Sequence, residues 1–523
     1  MFQRANLMTN NPPKPFYDAP IDRNHSVAFS YTADTTSRDL IELSESIWSS
    51  FPEETRAKIN PTGRNSRALG LPTLRLIVVQ LFGVWVTDPT QALATPRGNN
   101  LKVKSIYNPK AINPEKLRAV LDALEANNYI DTIAHSHSDN PNQKNTTSRA
   151  RASKKLQELF NTLNTTEFDM IEDPNTPLVK LNEFDVDPET GDQLKTKHPV
   201  EYDQTLPHVV EMVKVLRAYN DLLNRTHIHL ASIDKPYITR IEKKTGKEIN
   251  VQITNASKTI RRVFSRGKWD CFGRFSGGFW QRVGDKEESP YRRNIRINNE
   301  PTVELDYSSL HPNILTVEAG LEPLEDVYTL GHQVDKKFGQ EQQREIMKGL
   351  VLNLLNATNL DAALDAFTYK QPTGHPFKRL KKTQFYAYVD AFKTKHPHLA
   401  DKIGNDEGIR LMFIDSQIMN VIIEKATTQE VPILTVHDSV ICREKDEPYV
   451  RKLMREATKQ VVGVELNFDV NRVSVHKAIR SKIYRDRDYS DRLSQHALET
   501  LPNRETDYHN NHWKRFQEHI NNK

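Results

Sequence analysis

The chain has 523 residues, enough for two to four domains, and carries 73 Lys and Arg against 68 Asp and Glu, a formal net charge of +5. A mean hydropathy of -0.66, no apolar run approaching the roughly 18 residues of a membrane span and no apolar leader core in Met1 to Pro20 point to a cytoplasmic protein with no membrane partner. Only two cysteines occur, Cys271 and Cys442, which excludes a disulfide framework and a cysteine-based zinc site; the mildly basic balance permits a nucleic-acid partner without demanding one.

Residues 1–67 form an N-terminal extension, polar and Pro-rich at its start, with a helix expected over Ser37 to Ser49. Residues 68–170 read as a helical module containing a hairpin. Thr73 to Trp85 is strongly apolar. Leu117, Val120, Leu121 and Leu124 recur at helical spacing behind Asn113-Pro114-Glu115, a cap followed by Pro at the first position. Tyr129 to Ile133 then reads as a strand. A polar loop over Ser136 to Asn145 follows, then a basic strand holding Arg149 and Arg151 and a helix marked by Leu156, Leu159, Phe160 and Leu163. That order resembles a winged helix-turn-helix. In it Pro114 to Asn128 would be the recognition helix, and Arg149, Arg151, Lys154 and Lys155 would touch DNA phosphates. A small helical packing domain with a solvated basic edge fits the same residues.

Residues 171–257 form a helical connector or thumb-like region. Its start, within the acidic and turn-rich stretch Glu167 to Pro207, reads as irregular, and Val209 to Leu223 as an amphipathic helix. Positive charge then gathers with aromatics between: Lys258, Arg261, Arg262, Arg266, Lys268 and Arg274 with Phe264, Trp269 and Phe272. Such alternation suits a nucleic-acid backbone and its bases, and equally a solvated face.

Two short segments carry most of the chemistry. In Glu304-Leu305-Asp306-Tyr307-Ser308-Ser309-Leu310-His311-Pro312 and in Leu434-Thr435-Val436-His437-Asp438-Ser439-Val440 an apolar, β-prone run ends in an aspartate. Side by side, such strands would hold Asp306 and Asp438 close enough to share divalent metal; alone, each Asp could merely cap a turn. Between them a helix over Glu341 to Asn356 carries Arg344 and Lys348 four residues apart, on one face. Two cations beside a metal carboxylate pair would bind a triphosphate. Helices over Thr383 to Lys395 and Ile409 to Thr427, a hairpin with His437-Asp438-Ser439 at its tip, a helix over Pro448 to Val462 and a strand over Glu465 to Val470 complete an α+β unit, palm-like with a helical insertion.

The order of four segments resembles the core of family-A DNA polymerases over residues 258–475. Gly273-Arg274-Phe275-Ser276 with Gln281 is similar to the segment that contacts the primer–template duplex. Asp306-Tyr307-Ser308 resembles motif A, Arg344-x-x-x-Lys348 motif B, and Val436-His437-Asp438 motif C. The resemblance implies a template-directed nucleotidyltransferase acting on a DNA primer-template and nucleoside triphosphates. Two Mg²⁺, or Mn²⁺, would be held by Asp306, Asp438 and the Tyr307 carbonyl. Arg344, Lys348, His311 and Tyr307 would meet the nucleotide, with His437 near the primer end. Arg274, Gln281, Arg261, Arg262, Arg266 and Lys268 would seat nucleic acid. Three departures stand out: His311 where the family has a sugar-screening Glu, Asn356-Ala357 where it has Tyr-Gly, and Ser439 where it has a second acid. No acidic signature of a proofreading domain is evident. A DNA-binding or replication-initiation protein with a degenerate core, and a metal-dependent nuclease, are the alternatives. The architecture suits a mobile-element or phage-like replication protein by analogy alone. The tail, residues 476–523, reads either as a docked helix or as a flexible arm.

Overall fold

The computed structural model describes residues 14–59, 66–98, 103–135, 147–186, 193–241, 248–284, 291–371, 374–472 and 505–522. The fold is mixed α+β, and the chain divides into two units.

The first unit draws on Met1–Pro177, His229–Thr259 and Asn503–Lys523. It contains β1 (Ser26–Ala28), β2 (Ala33–Thr35), α1 (Arg38–Ser50), α2 (Glu53–Ile59), α3 (Ser66–Thr87), β3 (Ala92–Thr95), α4 (Pro114–Ala126), β4 (Ile130–Ile133), β5 (Ser148–Ala152), α5 (Lys154–Phe160) and β6 (Met170–Glu172). Three of these helices begin at side-chain caps. Ser37, Asn113 and Ser153 accept from backbone N–H groups of the first turns of α1, α4 and α5, satisfying donors that have no partner within the helix. Strands β1, β3, β5 and β4 lie in that order in one sheet, antiparallel except for β1 on β3. The core gathers Leu74, Ile77 and Phe82 of α3, Val120 and Leu124 of α4, Ala150 of β5 and Phe160 of α5. The expectation that no run approaches a membrane span needs correcting: Gly70–Thr87 is 18 residues of mean hydropathy 1.5, long and apolar enough to cross a membrane. Its 72% burial within the protein is that of a core helix.

After β9 (Ile228–Leu230) this unit adds the hairpin β10 (Tyr237–Ile241) and β11 (Glu248–Gln252). Asp507–Asn521 forms a C-terminal helix. It docks through Phe516, edge-on to Phe168 at 5.2 Å between ring centroids, and through Arg515, 2.8 Å from Glu167. Of the two readings of the tail, this part takes the docked helix.

The second unit draws on Leu178–Ile228 and Ile260–Pro502. Its smaller sheet contains β7 (Val179–Val186), β8 (Gln193–Pro199), β12 (Arg261–Phe264) and β13 (Arg274–Ser276), in the order β13-β12-β7-β8. The stretch expected to be irregular therefore supplies two strands of this sheet, besides β6. The acidic, turn-rich surroundings hide them; pairing with β12 and the burial of Val179 and Leu181 recruit β7, and β8 pairs with β7. Helix α6 (Pro207–Asn224) packs against β7 and β12.

The larger sheet centres on β15 (Glu300–Tyr307), flanked at its start by β14 (Ile295–Ile297). The hairpin of β16 (Leu434–Val436) and β17 (Ser439–Arg443) lies on one edge, and β18 (Phe468–Arg472) on the other. Between β15 and β16 come α7 (Leu310–Glu318), α8 (Gln340–Asn356), α9 (Leu360–Lys370), α10 (Lys382–Lys395) and α11 (Gly408–Thr428). α12 (Glu447–Val462) separates β17 from β18. Val303, Leu305 and Tyr307 face the core, and the Tyr307 hydroxyl donates to the Met454 carbonyl of α12 at 2.6 Å. By the two-residue period of a strand, Glu304 and Asp306 face the other way.

Candidate active site

Alternation along β15 puts Asp306 on the open face of the larger sheet, and the register brings its neighbours to it. Asp306 lies opposite Ser439 on β17 and opposite Asp469 on β18. Asp438 precedes Ser439 at the hairpin tip, where Val436 pairs with Ser439 and His437 takes the left-handed conformation, φ 55°. Such a two-residue turn requires positive φ. The Asp306 carboxyl is pushed up to about 7, first by burial, then by the charges of Asp438 and Glu304, with Asp469 adding to them and Lys348 opposing. Asp306, Asp438 and Lys348, far apart in sequence, thus fall within electrostatic reach of one another. Asp469 and Glu304 join them unforeseen: register alone reveals the first, and strand parity could have flagged the second. Ser439, standing where a second acid was expected, donates to Glu304 at 2.7 Å, and Arg292 lies 3.3 Å from the same oxygen.

Helix α8 keeps its buried side in Ile346, Met347, Leu350 and Leu354. Arg344, Lys348 and Leu352, at successive four-residue steps, are exposed. Arg344 donates to Asp326 at 3.0 Å and lies over the Tyr328 ring, 5.7 Å from its centroid. Burial works to raise the Asp326 carboxyl, but hydrogen bonds from Arg344 and Thr329 hold it down at about 2. Burial raises the Tyr328 hydroxyl, which a hydrogen bond with Ser309 and the Arg344 charge oppose. Tyr328 is therefore a further side chain at this site that sequence reasoning missed. Asn356 turns aside from the stripe and packs over Gly408 of α11, where any Cβ would stand 2.1 Å from its side-chain oxygen.

Arg274 and His311 meet at a residue not anticipated from the sequence. Asp415 of α11, buried, receives the Arg274 guanidinium, its Nε at 3.1 Å, and His311 Nε2 at 2.8 Å. Burial and the nearby Arg274 cation hold the His437 imidazole below its ordinary range. Gly273 has φ +65°, and a Cβ there would lie 2.7 Å from Ser416 Oγ, so the approach of this segment to α11 requires glycine. Gln281 is committed to backbone: it donates to Phe275 and Thr435 carbonyls at 3.0 and 2.8 Å and accepts from Gly277 N–H at 3.0 Å. It braces β16 beneath the hairpin tip. The Tyr307 side chain points into the core, which leaves its backbone as the part facing any ligand.

The basic run divides between core and surface. Arg262 points inward, between the rings of Phe264 and Phe275, and donates to Gly273 O at 2.9 Å and Ser416 Oγ at 3.1 Å. Burial lowers it to about 10. It is a core residue and not a nucleic-acid contact, because its N–H groups are consumed inside. Arg261 is half-buried on the opposite face, Arg266 pairs with Asp406 at 2.5 Å, and Lys268 is exposed. Trp269 packs edge-on to Tyr202 and Phe264 rather than presenting a face to bases.

In the first unit the expected phosphate contacts divide: Lys154 and Lys155 are exposed, while the two strand arginines lie beneath the segment before β1. Arg149 donates to Arg23 O at 3.1 Å, and Arg151 is buried. The exposed positions of α4 include Glu115, Asp122 and Glu125, while Lys116 and Arg118 bond backbone carbonyls. An acidic outer face is the wrong sign for a helix entering a DNA groove. The polar loop expected over Ser136 to Asn145 lies outside the described residues.

Among the described residues no group of three or more His, Cys, Asp or Glu is arranged to hold a metal ion. No protein-family model matches the chain, and no curated protein matches it. Among solved structures, similarity extends to the POL domain of Pol1 from M. smegmatis in complex with DNA primer-template and dNTP. Identity is 14%, with 41% of this chain and 47% of that chain covered and a TM-score of 0.27. The chain spans under half of that domain, and the likeness is too slight to bear on function.

Proposed function

We propose that the second unit is a nucleotidyltransferase that extends a primer 3′-hydroxyl on a DNA template. The observation that carries this is Asp306, near the end of β15, within electrostatic reach of Asp438 in the β16–β17 turn, with Lys348 of α8 close enough to moderate the Asp306 charge. The donor set fits magnesium or manganese. It is all oxygen, and the burial and then the charge crowding that raise Asp306 are what a divalent cation relieves. A pair of carboxylates also fits an ion that takes its remaining ligands from water and substrate phosphate. Bound there, two such ions supply Lewis-acid activation and charge neutralisation for an in-line displacement at the α-phosphate.

This chain's own residues do the rest. Lys348 and Arg344 neutralise the β- and γ-phosphates, Arg344 exchanging Asp326 for a phosphate oxygen. Leu352 extends the same exposed stripe as an apolar surface. The Asp415 carboxylate holds Arg274 and His311 in fixed positions beside the reacting centre. His437, kept neutral near pH 7 by its surroundings, can accept a hydrogen bond at the primer end. The test is incubation with a 5′-labelled primer on a DNA template and Mg²⁺, with and without nucleotides. Lengthening that requires nucleotides is the expected result. Shortening in their absence would replace the polymerase reading with a metal-dependent nuclease.

A further inference from the structure

In β5, Ser-Arg-Ala-Arg-Ala, the alanines face the core and the two arginines the opposite side of the sheet. The segment before β1 crosses that side. The backbone N–H groups of Lys14 and Tyr17 donate to the side chains of Asn161 and Gln157 at 2.9 and 3.0 Å, Arg23 O receives Arg149, and Ala19 O receives Arg151. Between this strap and the sheet lies an open cavity of about 650 Å³, a volume that suits a mononucleotide-sized ligand.

Arg151 lines that cavity and is only 6% exposed. Tyr17 covers it, 4.9 Å from ring centroid to guanidinium. Two of its three nitrogens, Nε and Nη1, have no hydrogen-bond partner. Asp131 is its cross-strand neighbour but forms no ion pair with it among the described residues. An arginine cannot shed its charge, and buried polar groups are nearly always satisfied. Lys154 and Lys155 stand at the rim, both exposed. Asp18 and Asp131 also line the cavity, and these two carboxylates against three cations leave the lining positive. Ile21 and Ile133 supply an apolar wall.

We propose that this cavity binds a nucleoside 5′-phosphate, either free or as the phosphorylated end of a DNA strand. The phosphate lies on Arg151 and Lys154, and the nucleoside on the apolar wall. Phosphate is favoured over a carboxylate because its extra oxygen and second charge let it meet Arg151 and the lysines at the rim together. The site is independent of the second unit's chemistry.

The experiment uses the full chain and fluorescence anisotropy with a short 3′-labelled single-stranded DNA, 5′-phosphorylated or 5′-hydroxyl, with adenosine 5′-monophosphate as competitor. The phosphorylated strand should bind about tenfold more tightly or better, and Arg151→Gln should erase the preference. Lys154→Ala, at an exposed position that leaves the fold alone, should reduce it several-fold. Displacement by the monophosphate identifies a site that takes free nucleotide. If the monophosphate does not displace the strand, the site reads strand ends. No preference for the phosphorylated strand in the unmodified chain, or a preference that survives in both variants, would overturn the proposal.

Discussion

Replacing Asp306 by asparagine should stabilise the metal-free protein. The carboxyl sits at about 7 against an ordinary 3.8, a gap equivalent to about 4 kcal/mol at 1.36 kcal/mol per pH unit. Partial exposure of the side chain reduces this to about 2 kcal/mol. The sign follows from proton linkage. The folded state holds a proton on Asp306 between about pH 4 and pH 7 that the unfolded chain has lost, so stability falls as pH rises through that window. The asparagine carries no such charge. In a chelating buffer at pH 8, Asp306→Asn should therefore shift urea unfolding of the second unit to higher concentration. At pH 5, where the native carboxyl is protonated, the difference should close. Trp280 gives a local signal, since its indole N–H donates to Thr435 O in β16 at 3.0 Å. Adding Mg²⁺ at pH 8 should stabilise the unmodified protein and not the variant. A variant no more stable than the parent at pH 8 without metal would refute the reasoning.

Arg262→Ala should cost about 3 kcal/mol, because it strands buried acceptors and empties the space between two rings; chemical denaturation measures it, and a change confined to DNA affinity would contradict the core assignment. Gly273→Ala should cost about 2 kcal/mol or more, from a positive φ and a Cβ inside contact distance of Ser416, read as a lower unfolding midpoint. Lys348→Ala should raise KM for nucleotide about tenfold. It should also move the acidic limb of the pH–rate profile upward, since Lys348 lowers the Asp306 carboxyl; unchanged kinetics would detach α8 from the site.

Elements with a strong period or a cap are legible in the sequence. Apolar spacing places a helix over Glu341 to Asn356, and α8 runs Gln340–Asn356; α4 begins at Pro114 behind its Asn113 cap, as expected. The Asp306 and Asp438 strand ends are visible because a carboxylate closing an apolar run is unusual. What pairing decides is not visible. Strand β8 has little apolar character, β7 interleaves its apolar residues with charged ones, and both are completed by their neighbours. Asp469 joins the site only through the register of β18 on β15, and Asp415 only through the packing of α11 on β13. The basic run misleads because composition ignores parity: Arg262 and Arg261 are adjacent in sequence and face opposite ways. Arg149 and Arg151 lie beneath a strap more than a hundred residues upstream, a cover that no local reading of their strand reveals.

The most direct test of the central claim is primer extension by the purified full chain on a primed DNA template with Mg²⁺ or Mn²⁺. Deoxynucleotides and ribonucleotides are supplied in separate reactions, and Asp306→Ala and Asp438→Ala run beside the parent. Extension by the parent and none by either variant is the predicted result, with circular dichroism of all three alike. Extension that persists in a folded Asp306→Ala or Asp438→Ala protein would contradict it.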